Sequence, residues 1–384
     1  MSVLRLAKVA ALPAEYAAGF YKRDAELAEK PYATQLQVLF DDCFAFADFW
    51  KTGLEKTRRF SVMEILHTVE PLQKRWALEN GVSFSPARWK EEILDAELDA
   101  FAPDIIFIPS SFDAAAQFAL KQKHPSIKFL INWDGTTIHD PARFAGTDLM
   151  LSDDTLSTRF YQERGFLAYT FGFGFSPKVL RSIALGRERY DTTFTGSLQM
   201  RNDYHLKRFE FLAAIARQVP LDLWVSYFPH PSLRLKKDWV VQLREMRREN
   251  YRDAWRLFLR NNGGVFGIAM FQVLADSKIT LNMHGPSQNT KAGNMRLWEA
   301  TGVGTLLLTD DKDNMRDHFE PGKEIMTYTS VEDAIDKIRY FLTHENERRA
   351  IAAAGQQRTL RDYTYDQRFA AFGTFLEQAF AKRT

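Results

Sequence analysis

Short, almost wholly apolar runs recur along this chain, each followed by a longer stretch of helical periodicity. That alternation limits its fold more than any other feature. Asp104-Ile-Ile-Phe-Ile-Pro-Ser-Ser111, Ile127-Lys-Phe-Leu-Ile-Asn-Trp-Asp134 and Gly304-Thr-Leu-Leu-Leu-Thr309 have too little polar alternation for a sheet with one wet face. Such strands belong to parallel sheets with helices on both sides, so the reading is α/β. Further strands are expected at Arg5–Ala10, Phe60–His67, Asp148–Ser152, Asp191–Gly196, Lys278–His284 and Glu324–Tyr328. Helices are expected at Ala14–Ala28, Thr34–Leu54, Ser85–Ala102, Phe112–Lys123, Thr155–Gly165, from the end of the Asp191 strand through Ala216, over Pro231–Asn261 as one helix or a pair, at Asn294–Thr301, and from Glu345 to Lys382. Gly302 reads as a left-handed helix stop, and Ser330 as a cap for the helix after it.

The chain of 384 residues is long enough for two domains. The periodicity breaks at Phe171-Gly-Phe-Gly-Phe-Ser-Pro177 and the charged stretch after it. The expected organisation is a first domain over 1–180, a second over 191–365, and a last helix over 366–384 packing back on the first. Two such α/β halves imply a central cleft. With 45% apolar and 26% charged residues, the chain is neither disordered nor fibrous. A net charge of +2 gives no reason to expect a nucleic-acid partner. Cys43 stands alone, so no intrachain disulfide forms. The N-terminal stretch lacks the apolar core of a secretory signal, and no run is long enough for a membrane span. The expected location is cytoplasmic. Arg234–Arg260 carries nine basic residues against four acidic ones with apolar residues interleaved, which fits either a solvated helix or peripheral contact with an anionic membrane.

Ligands of open parallel sheets sit beyond the carboxyl ends of the strands, so residues at those ends are the candidates. The richest stretch is His284–Asp310: a loop with Gly285, Ser287 and Gly293, then a short helix, then a buried strand. Small residues let backbone amides approach an anion, and Lys291, Arg296 and the helix start at Asn294-Met295 add positive charge there. Glu299 lies one turn into the helix, where its carboxylate could accept two ribose hydroxyls; Arg296 and Glu299 read equally as a helix ion pair. Gly196 and Ser197 end a strand and permit close approach of a diphosphate, and Arg201 follows them. His284 ends another strand and reads as a donor contact or as a structural histidine.

In the first half, Ser110 and Ser111 read as helix caps or acceptor contacts. Asp134 is the best-placed carboxylate for a general base, with His139 and Asp153 as lesser candidates; an Asx turn is the alternative for Asp134. Asp311-Lys312-Asp313 is an Asp-x-Asp sequence read as a solvated turn, so no metal is expected.

The order Asn294-Met-Arg-Leu-Trp-Glu-Ala-Thr-Gly-Val-Gly-Thr-Leu-Leu-Leu-Thr-Asp310 resembles the donor-nucleotide segment of glycosyltransferases with two Rossmann-like domains, the GT-B fold. Within them it is most similar to the CgeB-like group of family-1-type enzymes. Phe194-Thr-Gly-Ser197, Ser277–His284, Phe319-Glu-Pro-Gly-Lys-Glu-Ile325 and Ile351–Arg368 resemble the same group. The resemblance runs from about Asp191 to Phe372 and is only architectural before that. It implies that Glu299 holds the donor ribose and that the preceding loop and helix end hold the diphosphate. The larger relatives carry a second glutamate eight residues earlier, where this chain has Lys291. It further implies a metal-independent transfer of a sugar from a nucleotide diphosphate sugar to a glycan, glycolipid or related acceptor, with the donor as substrate and no separate cofactor. A sugar-nucleotide epimerase of the same architecture and a non-catalytic interaction protein retaining the fold are the alternatives.

Overall fold

The apolar runs become buried parallel strands in the computed structural model, which describes residues 3–109, 111–135, 140–199, 203–228, 248–285 and 290–383. The chain forms two compact units, residues 1–172 with 365–384, and residues 173–364. Residues 173–180, assigned to the first unit by the sequence, belong to the second.

In the first unit the strands are β1 (Leu4–Ala10), β2 (Phe60–Leu66), β3 (Ile105–Ile108), β4 (Phe129–Trp133), β5 (Leu149–Ser152) and β6 (Ala168–Thr170). Their order is β2-β1-β3-β4-β5-β6, all parallel. After β1 the chain lays β2 on one side and β3 on the other, so the topological switch lies between β1 and β3. Ala7, Val9, Ile65, Ile106, Ile108 and Leu130 form one core layer of this sheet. Lys8 and Glu64 face each other in register across β1 and β2 and pair at 2.7 Å, both buried. The helix Tyr365–Arg383 belongs to this unit and sets Phe369 and Phe372 against Trp50 and Phe171, all four buried.

The second unit holds β7 (Tyr190–Ser197), β8 (Asp222–Ser226), β9 (Ser277–Asn282), β10 (Leu306–Asp310) and β11 (Met326–Tyr328), parallel and ordered β11-β10-β9-β7-β8. Its core runs from Phe194, Phe209 and Leu212 through Ile279, Leu281 and Leu308 to Ile335 and Ile338. Ser330 caps the helix Val331–Thr343 by accepting from the Asp333 N–H.

Several expectations are corrected. The long helix Thr34–Leu54 is two helices, Tyr32–Asp41 and Phe49–Glu55, separated by Cys43, Ala45 and Ala47 at φ of 52°, 54° and 39°. Gly302 is not left-handed; the turn after its helix is made by Gly304, at φ 84°. The C-terminal stretch is two helices, Glu345–Asp362 and Tyr365–Arg383. Residues 234–247 of the basic segment lie outside the described residues; Arg248–Arg260 is helical. Among the described residues no helix is long and apolar enough to cross a membrane.

Candidate functional site

The polar residues of the second unit converge where its strands end. β9 closes on Asn282, a buried amide just after Leu281. Asn282 Nδ2 donates to Thr309 Oγ1 at 2.9 Å, and the Asn282 and Asn294 amides exchange hydrogen bonds at 2.9 and 3.2 Å. Asn294 thereby ties the approach to the helix Arg296–Gly302 to the end of β9. The Tyr328 hydroxyl, next to the core, donates to the Asn282 carbonyl at 2.9 Å.

His284 follows β9 and is buried. Its Nδ1 meets Asp310 Oδ1 at 2.6 Å, and its backbone N–H donates to the same oxygen at 3.0 Å. Lys312 Nζ approaches the other carboxylate oxygen at 3.1 Å. Burial alone would raise Asp310; the hydrogen bond and charge of His284, and then Lys312, overcome it and hold the carboxyl at about 2. An ionised Asp310 accepts from Nδ1–H, which fixes the ring and leaves Nε2 as its active edge. That Nε2 is buried and has no hydrogen-bond partner among the described residues.

β7 ends at Gly196 and Ser197. Gly196 is exposed, and a Cβ there would meet the Phe194 ring at 3.3 Å. Beside it lies a residue that the sequence reading missed. Arg208, on the helix Asp203–Gln218, is only 9% exposed. Its guanidinium donates to the Ser197 carbonyl at 2.8 Å and the Met283 carbonyl at 3.2 Å, and sits 4.4 Å from the centre of the Tyr204 ring. Its Nε is buried without a hydrogen-bond partner among the described residues. Burial lowers its pKa to about 10, with Tyr328 and Asp310 acting the other way, so it stays charged at neutral pH. The register signal that could have found it is weak, since it sits one position before the apolar pair Phe209 and Phe211.

The remaining donor-side candidates fall into other arrangements. Lys291 lies 3.6 Å from Asp313. The loop before the helix is pinned by Asn314, whose Oδ1 accepts from the Ala292 N–H at 2.6 Å and whose Nδ2 donates to the Ala292 carbonyl at 3.0 Å. Arg296 binds Glu299 at 2.9 Å, and its two terminal nitrogens lie 3.4 Å from Met270 Sδ. Glu299 is buried; burial raises its pKa and Arg296 opposes that. Of the two readings open for this pair, the geometry realises the ion pair. Met295 precedes the helix in helical conformation and makes no side-chain cap.

Asp134, the candidate base of the first unit, is held by its neighbours. It is 2% exposed at the end of β4, and the Tyr161 hydroxyl donates to its Oδ2 at 2.5 Å. Through that hydrogen bond the carboxylate ties the helix Thr155–Gln162 to the end of β4. Ser110, His139, Arg201 and Ser287 lie outside the described residues.

The family described as glycosyl transferase-like matches residues 209–373. No curated protein sequence matches the chain. Sucrose-phosphate synthase from Thermosynechococcus elongatus superposes with a TM-score of 0.58 at 10% identity, over 99% of this chain and 100% of that one. HepE from Anabaena, in complex with UDP-glucose, superposes with a TM-score of 0.58 at 11% identity, over 98% and 100%. A glycosyltransferase from Rickettsia africae gives 0.56 at 10% identity, over 99% of each chain. The two parallel sheets are those of the GT-B fold. The chain thus has the GT-B fold, and residues 209–373 of its second half are similar to the glycosyl transferase-like family.

Proposed function

We propose that the protein moves a sugar from a nucleotide diphosphate sugar to a hydroxyl of a glycan, glycolipid or related acceptor, with the donor held by the second unit. Arg208 carries this reading. A guanidinium taken out of water and met by two neutral carbonyls is costly to bury. A diphosphate at the ends of β7 and β9 supplies the missing negative charge through charge-assisted hydrogen bonds. Gly196, with no side chain, leaves room for the phosphate beside it. His284 presents Nε2 to the same strand ends, where it can bind a phosphate oxygen or a sugar hydroxyl. HepE is described with UDP-glucose, which makes uridine diphosphate the first probe.

The chemistry asks the protein mainly to stabilise charge on the departing diphosphate and to orient the acceptor. Arg208 does the first in this proposal, with Lys291 close to the same loop. Glu299 reaches the donor ribose only by exchanging part of its ion pair with Arg296.

The test is calorimetric titration of UDP and a panel of nucleotide sugars into the wild type and Arg208→Ala. Loss of the charged hydrogen bonds should weaken the diphosphate by about tenfold to a hundredfold. Equal affinity in both proteins would remove Arg208 from the site. Glu299→Gln, which keeps the shape, should weaken nucleoside-containing ligands and leave inorganic pyrophosphate unaffected; equal losses for both would place Glu299 away from the ribose.

A further inference from the structure

The first unit has an apolar pocket at the topological switch of its sheet. It lies where β1, β2, β3 and β4 end, lined there by Ala10, Leu66, Phe107 and Trp133. Open parallel sheets bind ligands at this position, beyond the strand ends on either side of the β1–β3 switch. The cavity volume is about 200 Å³. A dry cavity of about 150 Å³ lined by aliphatic and aromatic side chains holds benzene, so this one has room for one or two fused rings.

The walls are aromatic and organised in pairs. Tyr16 stacks on Phe44 with centroids 4.2 Å apart, and Phe46 meets Trp133 edge-on at 5.9 Å. The segment bearing Phe44 and Phe46 is the one that breaks the expected helix. It holds Cys43, Ala45 and Ala47 at positive φ, a conformation that non-glycine residues adopt at a cost. The alternation turns Phe44 and Phe46 into the pocket wall. Backbone strain of this kind collects at ligand sites.

One charge also belongs to the wall. Lys8 lines the pocket; its ammonium pairs with Glu64 at 2.7 Å, contacts the Ala47 carbonyl at 3.4 Å and lies 5.9 Å from the centre of the Phe46 ring. An ammonium has three donors, and two of these contacts are with acceptors. A cation beside the cavity draws the face of an electron-rich ring, whereas an alkyl chain gains nothing from it.

We propose that this pocket seats an aromatic ring of the acceptor, so that the enzyme glycosylates an aryl-bearing substrate. The proposal deepens the acceptor side of the reading above and rests on it.

The test titrates three probes of similar size into the full-length protein: 2-naphthol, its saturated counterpart 2-decalol, and 1-decanol. One saturable site should bind 2-naphthol about tenfold more tightly than 2-decalol or 1-decanol. Ala10→Leu, which extends a side chain into the cavity, should weaken 2-naphthol by about tenfold or more and leave UDP affinity unchanged. If that variant fails to fold, Phe44→Ala replaces it, with the same expected loss. Tighter binding of 1-decanol would make the pocket an alkyl-chain site and overturn the proposal. So would 2-naphthol affinity that Ala10→Leu and Phe44→Ala leave unchanged, or no saturable binding at all. The UDP titration separates the two readings. If UDP fails to bind and 2-naphthol binds in an Ala10-dependent way, the donor assignment falls and the ring site stands; the reverse result removes the ring site alone.

Discussion

Glu97 and Asp310 are both carboxyls shut away from water, and their neighbours push them in opposite directions. Burial raises Glu97 to about 8 from 4.5, with the hydrogen bond from Gln73 opposing it. Asp310 is held at about 2 from 3.8, because its hydrogen bond and charge partners outweigh its burial. A carboxyl raised in the folded state binds its proton more tightly there than in the unfolded chain. Its stabilising contribution is therefore full below about 4.5 and is lost as pH rises through about 8. Glu97→Gln keeps a neutral amide in place at every pH. Thermal melts should show the variant more stable than the wild type at pH 8.5, with the gap gone at pH 4.5. Parallel melting curves across that range would show that Glu97 is not titrating. For Asp310 the sign reverses: its contribution is present above about 3.8 and fades as pH falls toward 2. The strand that carries Asp310 was legible, although its end was expected at Thr309 and Asp310 was not singled out. Arg208 was not legible, because its role depends on how far a helix-borne side chain reaches across two strand ends, and no spacing in the sequence encodes that reach.

Whole elements were easier to read than their ends. Every strand with an unbroken apolar run was expected close to its observed place, since such a run has only one comfortable environment. β6 and β8 were missed: Ala168-Tyr-Thr170 is too short to show a period, and the apolar run Leu223-Trp-Val225 in β8 is only three residues long. The break at Cys43–Ala47 contains neither Gly nor Pro, so the usual punctuation of a helix end was absent. The two glycines near the helix Arg296–Gly302 illustrate the limit. A stop was expected at Gly302, yet what that position needs is closeness: a Cβ there would overlap the buried Phe175 ring. Gly302→Ala should therefore cost about 1–3 kcal/mol by overpacking. Gly19, on the helix Ala14–Arg23, has nothing within 4 Å of a built Cβ and an ordinary helical backbone. Gly19→Ala should stabilise by about 0.5–1 kcal/mol. Chemical denaturation of the two variants checks both signs, and a stabilising Gly302→Ala would mean that Phe175 moves aside freely.

At the scale of the molecule, the chain leaves its first unit after Gly172 and returns to it at Tyr365. The returning helix completes that unit's core. Phe372 lies within 5.5 Å, centroid to centroid, of both Trp50 and Phe171, and Gly53 stays bare because a Cβ there would come within 2.6 Å of the Phe369 ring. The second unit has its own complete sheet and a core drawn entirely from residues between 194 and 352. The two should therefore respond differently to loss of the last helix. Phe372→Ala removes a fully buried ring and should cost the first unit about 3–5 kcal/mol. For a unit of this size that lowers the melting temperature by roughly 2–4 °C per kcal/mol. Deleting residues 365–384 exposes Trp50 and Phe171 together and should abolish the first unit's transition. The second unit should keep its transition, and saturating UDP should still raise it, because a ligand that binds only the folded state stabilises by mass action. Calorimetric scans of the wild type, Phe372→Ala and the deletion, each with and without UDP, resolve the two transitions. A deletion that removed the UDP-sensitive transition as well would mean that the second unit cannot fold without the helix that closes the first.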